Sequence, residues 1–504
     1  MLFDVSDLTP TSVPADLCIV GAGPAGLVVA AALRDSGRRI VVLESGGATA
    51  EPFAQGLNQG RVVGASYAGL TSTRQRQVGG TARLWNTPVT DGAGAKYVPL
   101  EPHDFEPLPS VPWSGWPFGA RELAPYYLRA QEVCGLGPFQ YEGTRWGRPD
   151  RSPLHAGSTP LLTGVYQFGS ARRFIDRMVE DLVAAENVTI YCGATVVTLL
   201  TSDQSGGQVT GLVAVTREGT PINVQPRWVV LAGGAIENAR LLLLARDRQA
   251  GMDPGDWLGR CFMEHPRDFS TSLFFPGSDS HARLRFYDRH LAQDGTVIAG
   301  RLGVEPESSR EAGLPGVAVT LLPVLDPPRV SPWSRVFRSG EGWQPPNGYG
   351  WSDVTGSRSR SCRVVLNLEQ RPVRENRIVL DQAVDCFGIP RPCLHLTWSA
   401  AEQQELDRLR HSLQGWFQAA GLGRLEFEAG TPPDLNAHHH AGTTRMHEDP
   451  GGGVVDPDLR VHGLENLFVT GGSVFPRAGW ANPMLTVVAL SLRLADHLSG
   501  VLDG

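Results

Sequence analysis

Residues 16–47 read DLCIVGAGPAGLVVAAALRDSGRRIVVLESGG. The apolar run LCIV ahead of the glycines predicts a strand, and LVVAAALRDSG behind them predicts a helix closed by Gly37. Between the two, Gly21, Gly23 and Gly26 keep GxGxxG spacing, with Ala22 inside the turn. Gly21 permits the tight turn, Gly23 lets the backbone approach a pyrophosphate, and Gly26 lets the helix pack closely on the strand. Pro24 suits the first helical turn, where an N–H is not needed. The helix N-terminus then turns its positive dipole end to the phosphates. The second strand, RRIVVLE, ends at Glu44, 18 residues after Gly26. A carboxylate there accepts hydrogen bonds from ribose hydroxyls and repels the additional phosphate of NADP. A glycine turn without a ligand is the competing reading, and it leaves the strand–turn–helix–strand pattern unexplained. The unit predicts a Rossmann-type dinucleotide domain, and by itself it does not separate FAD from NAD.

Composition bounds what such a domain serves. A chain of 504 residues is too long for one simple core, so two domains are expected. A hydrophobic content of 41% with 19% charge is an ordinary soluble balance, and a net charge of −7 offers no basic field to nucleic acid. Lys96 is the single lysine, within DGAGAKY, which reads as a loop; Schiff-base chemistry is set aside on that ground. The cysteines (Cys18, Cys134, Cys192, Cys261, Cys362, Cys386 and Cys393) are scattered and form no CxxC pair. Neither a disulfide framework nor a zinc site is expected, and a reducing cytoplasm fits. The N-terminus lacks a charged region and a cleavable apolar core, and no run of about 18 apolar residues predicts a membrane span.

Along the chain, 1–15 is a polar lead-in. Residues 60–150 are Gly-, Pro- and Trp-rich, 170–192 reads as helix then strand, and 194–231 as one or two antiparallel hairpins. Strand-like runs alternate over 270–400, interrupted by a Pro-, Ser-, Gly-, Trp- and Arg-rich stretch at 325–361 that reads as a long surface loop, a lid or a contact element. A helix is expected over 400–421.

Three further segments carry glycines at strand ends. Residues 78–86, VGGTARLWN, hold Gly79 and Gly80, a pair that lets backbone approach a flat ring or a phosphate. Residues 229–240, VVLAGGAIENAR, run a strand into Gly233. Near the C-terminus NLFVTGGS ends a strand at Gly472 and Ser473, after which Asn482-Pro483 opens an apolar helix, with Asn at the N-cap and Pro at N1. A helix apolar nearly all round is buried. Its N-terminus is a fixed positive partial charge, suited to stabilising a developing negative charge on a bound ring.

Taken together, GAGPAG…E, VGG, LAGGA, the HxxGT block at 439–443 and the NPxLT helix resemble the glucose–methanol–choline (GMC) family of flavoenzymes, in family order over nearly the whole chain. The sugar- and glycoside-oxidising branch, which includes pyranose oxidases, is the nearest in pattern. The resemblance implies an α/β fold: a discontinuous Rossmann-type FAD-binding domain over 1–265 and 438–504, with an insertion at 60–170, and an α+β substrate domain with a large antiparallel sheet over 266–437. It implies oxidation of an alcohol group of a sugar, glycoside or aminoglycoside-like substrate by proton abstraction and hydride transfer to flavin N5. Oxygen or another acceptor would then take the electrons.

Within that resemblance His439 matches the base that takes the alcohol proton, and Asn482 the residue that holds the hydroxyl oxygen. Gly21, Ala22, Gly23, Gly26, Glu44, Gly79, Gly80, Asn86, Val196, Gly233, Gly472, Ser473 and Pro483 match cofactor contacts. Several alternatives stay open at this point: His438 or His440 as the base, His439 as a structural residue, and Asn482 as a simple helix cap. The row His438–His440 could also be read as a metal patch, but three successive histidines cannot all face one metal in regular structure, and no nearby carboxylate completes a set. Several relatives carry, before the tryptophan of the Gly-Gly segment, a histidine that bonds covalently to flavin. Leu84 stands before Trp85 here and cannot form that bond, so noncovalent FAD is expected. Some family relatives are lyases in which FAD is only structural, and that is the alternative function. Oligomeric state is left open.

Overall fold

The computed structural model describes residues 1–5, 12–89, 91–202, 207–248, 255–277, 280–323 and 360–503. The stretch read as a long loop or lid, 325–361, lies outside the described residues except for its last two positions.

The N-terminal motif folds as its pattern predicts. The strand Ser12–Val20 pairs in parallel with Ile40–Leu43 on one side and with Pro221–Leu231 on the other. Val188–Cys192 extends the parallel set beyond Ile40–Leu43, and Leu467–Val469 joins Pro221–Leu231, also in parallel. Leu17, Cys18 and Ile19 have no exposed surface, as expected for a strand covered on both faces. The hairpins expected over 194–231 are present: Thr195–Thr201, Val209–Val215 and Pro221–Leu231 pair antiparallel. The polar lead-in is more structured than its composition suggests. The first strand begins at Ser12, and Leu2–Asp4 adds a parallel edge strand to Val188–Cys192. Backbone pairing and the stacking of Phe3 on Tyr191, with ring centres 6.2 Å apart, hold that edge.

A second, nine-stranded sheet is antiparallel and runs in the order Arg424–Glu426, Arg267–Phe274, Ser361–Leu368, Val317–Pro323, Val297–Val304, Leu161–Ser170, Gly92–Tyr97, Thr87–Val89, with His290–Leu291 beside Val297–Val304. Helix Ala400–Ala419, closed at its N-terminus by a Ser399–Glu402 capping box, buries Leu406, Leu409, Leu413 and Phe417 in a core shared with Leu273, Val364 and Leu366 of this sheet. Arg410 of the helix, fully buried, pairs at 3.0 Å with Asp268 of the sheet. Lys96, read as a loop residue, lies in the strand Gly92–Tyr97. Its small neighbours are needed there, since a Cβ at Gly94 would lie 2.1 Å from the carbonyl oxygen of Gly169 on the paired strand.

The C-terminal helix, Met484–Asp503, packs against Pro24–Ala32 and Ala120–Val133. By length and composition its segment Met484–Leu502 could cross a membrane, but 67% of that apolar window is buried inside the protein. Arg493 and Asp496 interrupt the sequence, which is why no continuous apolar run is visible there.

Candidate active site

A cavity of about 440 Å³ opens between the two sheets and is lined by almost every glycine segment singled out in the sequence. Gly21, Gly23, Glu44, Gly80, Asn86, Val196, Gly233, Gly472, Asn482, Pro483 and His439 all lie on its wall. The remaining positions stand just behind it. The Ala22 N–H donates to Glu44 Oε2 at 2.9 Å, and the Gly79 N–H to the Ala22 carbonyl at 2.8 Å. Gly26 packs under the turn, where a Cβ would fall 2.1 Å from the Gly21 oxygen. Ser473 is buried, and its hydroxyl accepts from Asn238 at 3.0 Å.

The wall suits an FAD. Gly23, whose added Cβ would meet nothing closer than 4.0 Å, leaves open the space before the first helix, and that helix has no side-chain cap on its N–H groups. Gly80 closes on Gly23 from the opposite side, its hypothetical Cβ 2.9 Å from the Gly23 Cα. Glu44 already accepts from the Ala22 and Gly46 amides, which fixes its carboxylate at the strand end. Arg74 and Arg76, which the motif reading passed over, add cations to this wall, and both pair with Glu237, which offsets one of their two charges. Leu84 lines the cavity with 43% of its surface exposed.

At the other end stand three histidines with three different surroundings. His438 has a positive φ of 61°, a backbone conformation uncommon outside glycine. This reversal sends neighbouring side chains in different directions. The Nε2 of His438 is buried without a hydrogen-bond partner. His440 has partners of its own, its Nε2 2.8 Å from the Tyr67 hydroxyl and 3.4 Å from Glu264 Oε1. Glu264, far from the histidines in sequence, is thus brought beside them by the fold; among the described residues, however, no group of three or more His, Cys, Asp or Glu could hold a metal.

His439 sits in a hydrogen-bonded row. Its Nε2 is 3.2 Å from Asn482 Nδ2, its Nδ1 is 3.2 Å from His265 Nδ1, and His265 Nε2 is 3.4 Å from the Ala478 carbonyl. Burial lowers the His265 imidazole to about 4 and holds His439 well below its ordinary 6.5, with His265 and Lys96 adding to the second effect. Both rings are therefore neutral near pH 7. A carbonyl only accepts, so His265 donates from Nε2 and accepts at Nδ1. His439 must then donate from Nδ1, which leaves its Nε2 without a proton, facing the amide of Asn482 and the cavity.

Asn482 does not cap the last helix as the sequence suggested. The first helical bond runs from the Val487 N–H to the Pro483 carbonyl, so Pro483 holds the cap position and Asn482 precedes it, with its side-chain amide on His439. Glu264, fully buried, accepts from the His439 backbone N–H at 2.8 Å and from the Tyr67 hydroxyl. Burial is the largest influence on its carboxyl and raises it to about 7. Glu264, His265, Tyr67 and Lys96 are the site residues that sequence reading missed. The only signal for the first two was an acid–His–Pro run directly before a strand, and nothing local ties it to His439.

Comparison with known proteins gives this site a lineage. Residues 16–254 match the model of the FAD binding domain, and residues 372–491 match that of GMC oxidoreductases. The paromamine 6'-oxidase of Streptomyces fradiae is 25% identical over 96% of this chain and 91% of its own length. The C-glycoside 3-oxidase of Arthrobacter globiformis is 36% identical over 26% of each chain. Among solved structures, pyridoxine 4-oxidase from Mesorbium loti superposes with a TM-score of 0.54 at 18% identity, covering 96% of this chain and 99% of that one; the likeness is one of fold.

Proposed function

We propose that this chain, an FAD-dependent GMC oxidoreductase by its FAD-binding and C-terminal domains, oxidises an alcohol group of a sugar or glycoside, with His439 as the base and Asn482 as the residue that holds the alcohol oxygen. The observation that carries the reading is the row Asn482–His439–His265–Ala478, because it leaves His439 Nε2 unprotonated on the cavity side. An arriving hydroxyl takes the place of the Asn482 amide at that nitrogen and gives up its proton there. The displaced Asn482 Nδ2 then donates to the alcohol oxygen and orients the carbon. FAD, when bound, supplies the two-electron acceptor for the hydrogen on that carbon. His265 stabilises the imidazolium that results, by accepting from Nδ1 throughout. Glu264 fixes the backbone of His439 through the 2.8 Å bond to its N–H, so the ring keeps its place during the transfer.

Sugar and glycoside substrates are inferred from what the relatives are named for, and oxygen or another acceptor would complete the cycle. Leu84, at the cavity wall beside Trp85, supports a dissociable cofactor, since its side chain has no atom that could bond to the flavin. The scattered cysteines, all free, support a reducing compartment.

Anaerobic mixing of the flavin-loaded protein with sugars, glycosides and aminoglycosides is the test. Loss of the visible flavin absorption with a polyol, absent in His439→Ala, is the expected result, and acid precipitation should leave the flavin in the supernatant. An unchanged spectrum with every alcohol, or equal bleaching by His439→Ala, would overturn the reading. The first outcome is also what a lyase of this family would give.

A further inference from the structure

Lys96 is the single lysine of the chain, and it lines the cavity at the His439 end. Two other cations lie in its field, Arg267 and Arg301, and each has a carboxylate of its own: Asp434 at 2.8 Å and Glu101 at 3.1 Å. Lys96 has none among the described residues. Its ammonium rests 4.4 Å from the centre of the Tyr166 ring, and every influence on it is either burial or another cation. These lower it to about 8, so it remains charged at neutral pH. Lys96 is half-buried at the cavity wall, and an ammonium drawn partly out of water without a counter-ion is costly. A single lysine in an arginine-rich chain, placed at the cavity wall without a carboxylate partner among the described residues, is explained if an anion completes the site.

We propose that Lys96 binds a carboxylate carried by the substrate, so that the alcohol oxidised at His439 belongs to an acidic sugar or its glycoside. This rests on the reading of the site as an alcohol-oxidising one. Two anions could reach this end of the cavity: a substrate carboxylate and the pyrimidine edge of a reduced flavin. The position of Lys96 favours the first. It projects from the antiparallel sheet beside Tyr166, and its field reaches His265 and His439. A reduced flavin edge would be served instead by the helix N-terminus at Asn482-Pro483, which lines the same cavity. The same charge works against amino sugars, whose ammonium groups Lys96 would repel. In that respect the site departs from what a relative named for paromamine would suggest.

The experiment compares three methyl glycosides of one configuration, a uronate, its neutral parent and its amino counterpart, in the wild type, Lys96→Met and Lys96→Arg. In the wild type kcat/KM should favour the uronate over the neutral sugar by about tenfold or more, with the amino sugar last. Lys96→Met should bring the uronate-to-neutral ratio to near one, through KM, and Lys96→Arg should restore part of it. The preference should fade as pH rises through 8. Equal rates for all three sugars in the wild type, or an unaltered ratio in Lys96→Met, would overturn the proposal. So would a shift of the flavin potential in Lys96→Met without substrate and with the sugar ratio intact, because the lysine would then serve the cofactor. If no sugar reduces the flavin, the alcohol-oxidation reading fails separately. Equilibrium titration with the uronate, followed by calorimetry, then still decides whether Lys96 binds a carboxylate: loss of binding in Lys96→Met supports it, and binding of equal strength overturns it.

Discussion

His439 lies between two other histidines, and nothing in the triplet itself says which one faces the cavity with a free nitrogen. The difference comes from partners far away in the chain. His265, 174 positions earlier, fixes the proton on His439 Nδ1 by accepting it, and its own Nε2 is committed to the Ala478 carbonyl. His265→Ala should therefore lower kcat by roughly 10- to 100-fold, a part of the roughly 10²- to 10⁴-fold that a positioned base contributes, with little change in KM. His265→Gln keeps an acceptor and a donor on one side chain, so it should recover part of the loss. Steady-state kinetics of both variants on one sugar decides the matter: equal losses in the two, or a change confined to KM, would reduce His265 to packing. The sequence could point to His439 and Asn482 because each belongs to a short motif. His265 and Glu264 had no such local sign, since their meaning lies in a contact made only after folding.

At the scale of elements, local pattern was informative where period and punctuation agreed. The first strand–turn–helix unit, the helix over Ala400–Ala419 and the hairpins of 195–231 all follow from apolar spacing and turn residues. The strand Gly92–Tyr97 was hidden because its neighbours Leu161–Ser170 and Thr87–Val89 press close, and glycines and alanines replace the β-branched residues that usually mark a strand. The same close approach separates two glycines of the opening motif. An added Cβ at Gly26 would collide with the Gly21 carbonyl at 2.1 Å, whereas at Gly23 the nearest atom is 4.0 Å away. Gly26→Ala should destabilise the protein even without cofactor. Gly23→Ala should leave the apoprotein melting temperature nearly unchanged and weaken FAD binding, because its methyl group occupies ligand space. Thermal melting of the two apoproteins, together with FAD titration, tests this; equal destabilisation by both would refute the assignment of Gly23 to the cofactor side.

Over the whole molecule, the site lies where the chain leaves one sheet for the other and where it comes back. The outgoing segment pairs with the returning one at Met263 and Ala441, and again at Arg267 and Asp434. Glu264 and His265 lie between these two bridges on one side, and His438, His439 and His440 on the other. Buried titratable groups of opposite type are therefore concentrated at the crossing, and their effects on stability oppose each other. The histidines are held below their ordinary 6.5, His265 at about 4 and His440 at about 3. Below pH 6.5 the unfolded chain binds protons that the folded chain refuses, so stability falls on acidification. Glu264 acts in the other direction. Its folded value of about 7 exceeds its ordinary 4.5, so between those limits the folded chain holds a proton that the unfolded chain releases, and stability rises on acidification. In the window from pH 6.5 down to 4.5 the carboxyl offsets part of the histidine penalty. Glu264→Gln removes the offset and retains an acceptor for the His439 N–H. Its urea midpoint should therefore fall more steeply than that of the wild type across this window. Equal slopes in the two proteins would mean that Glu264 is already ionised in the folded state, and that its bonds to Tyr67 and to the His439 amide outweigh its burial.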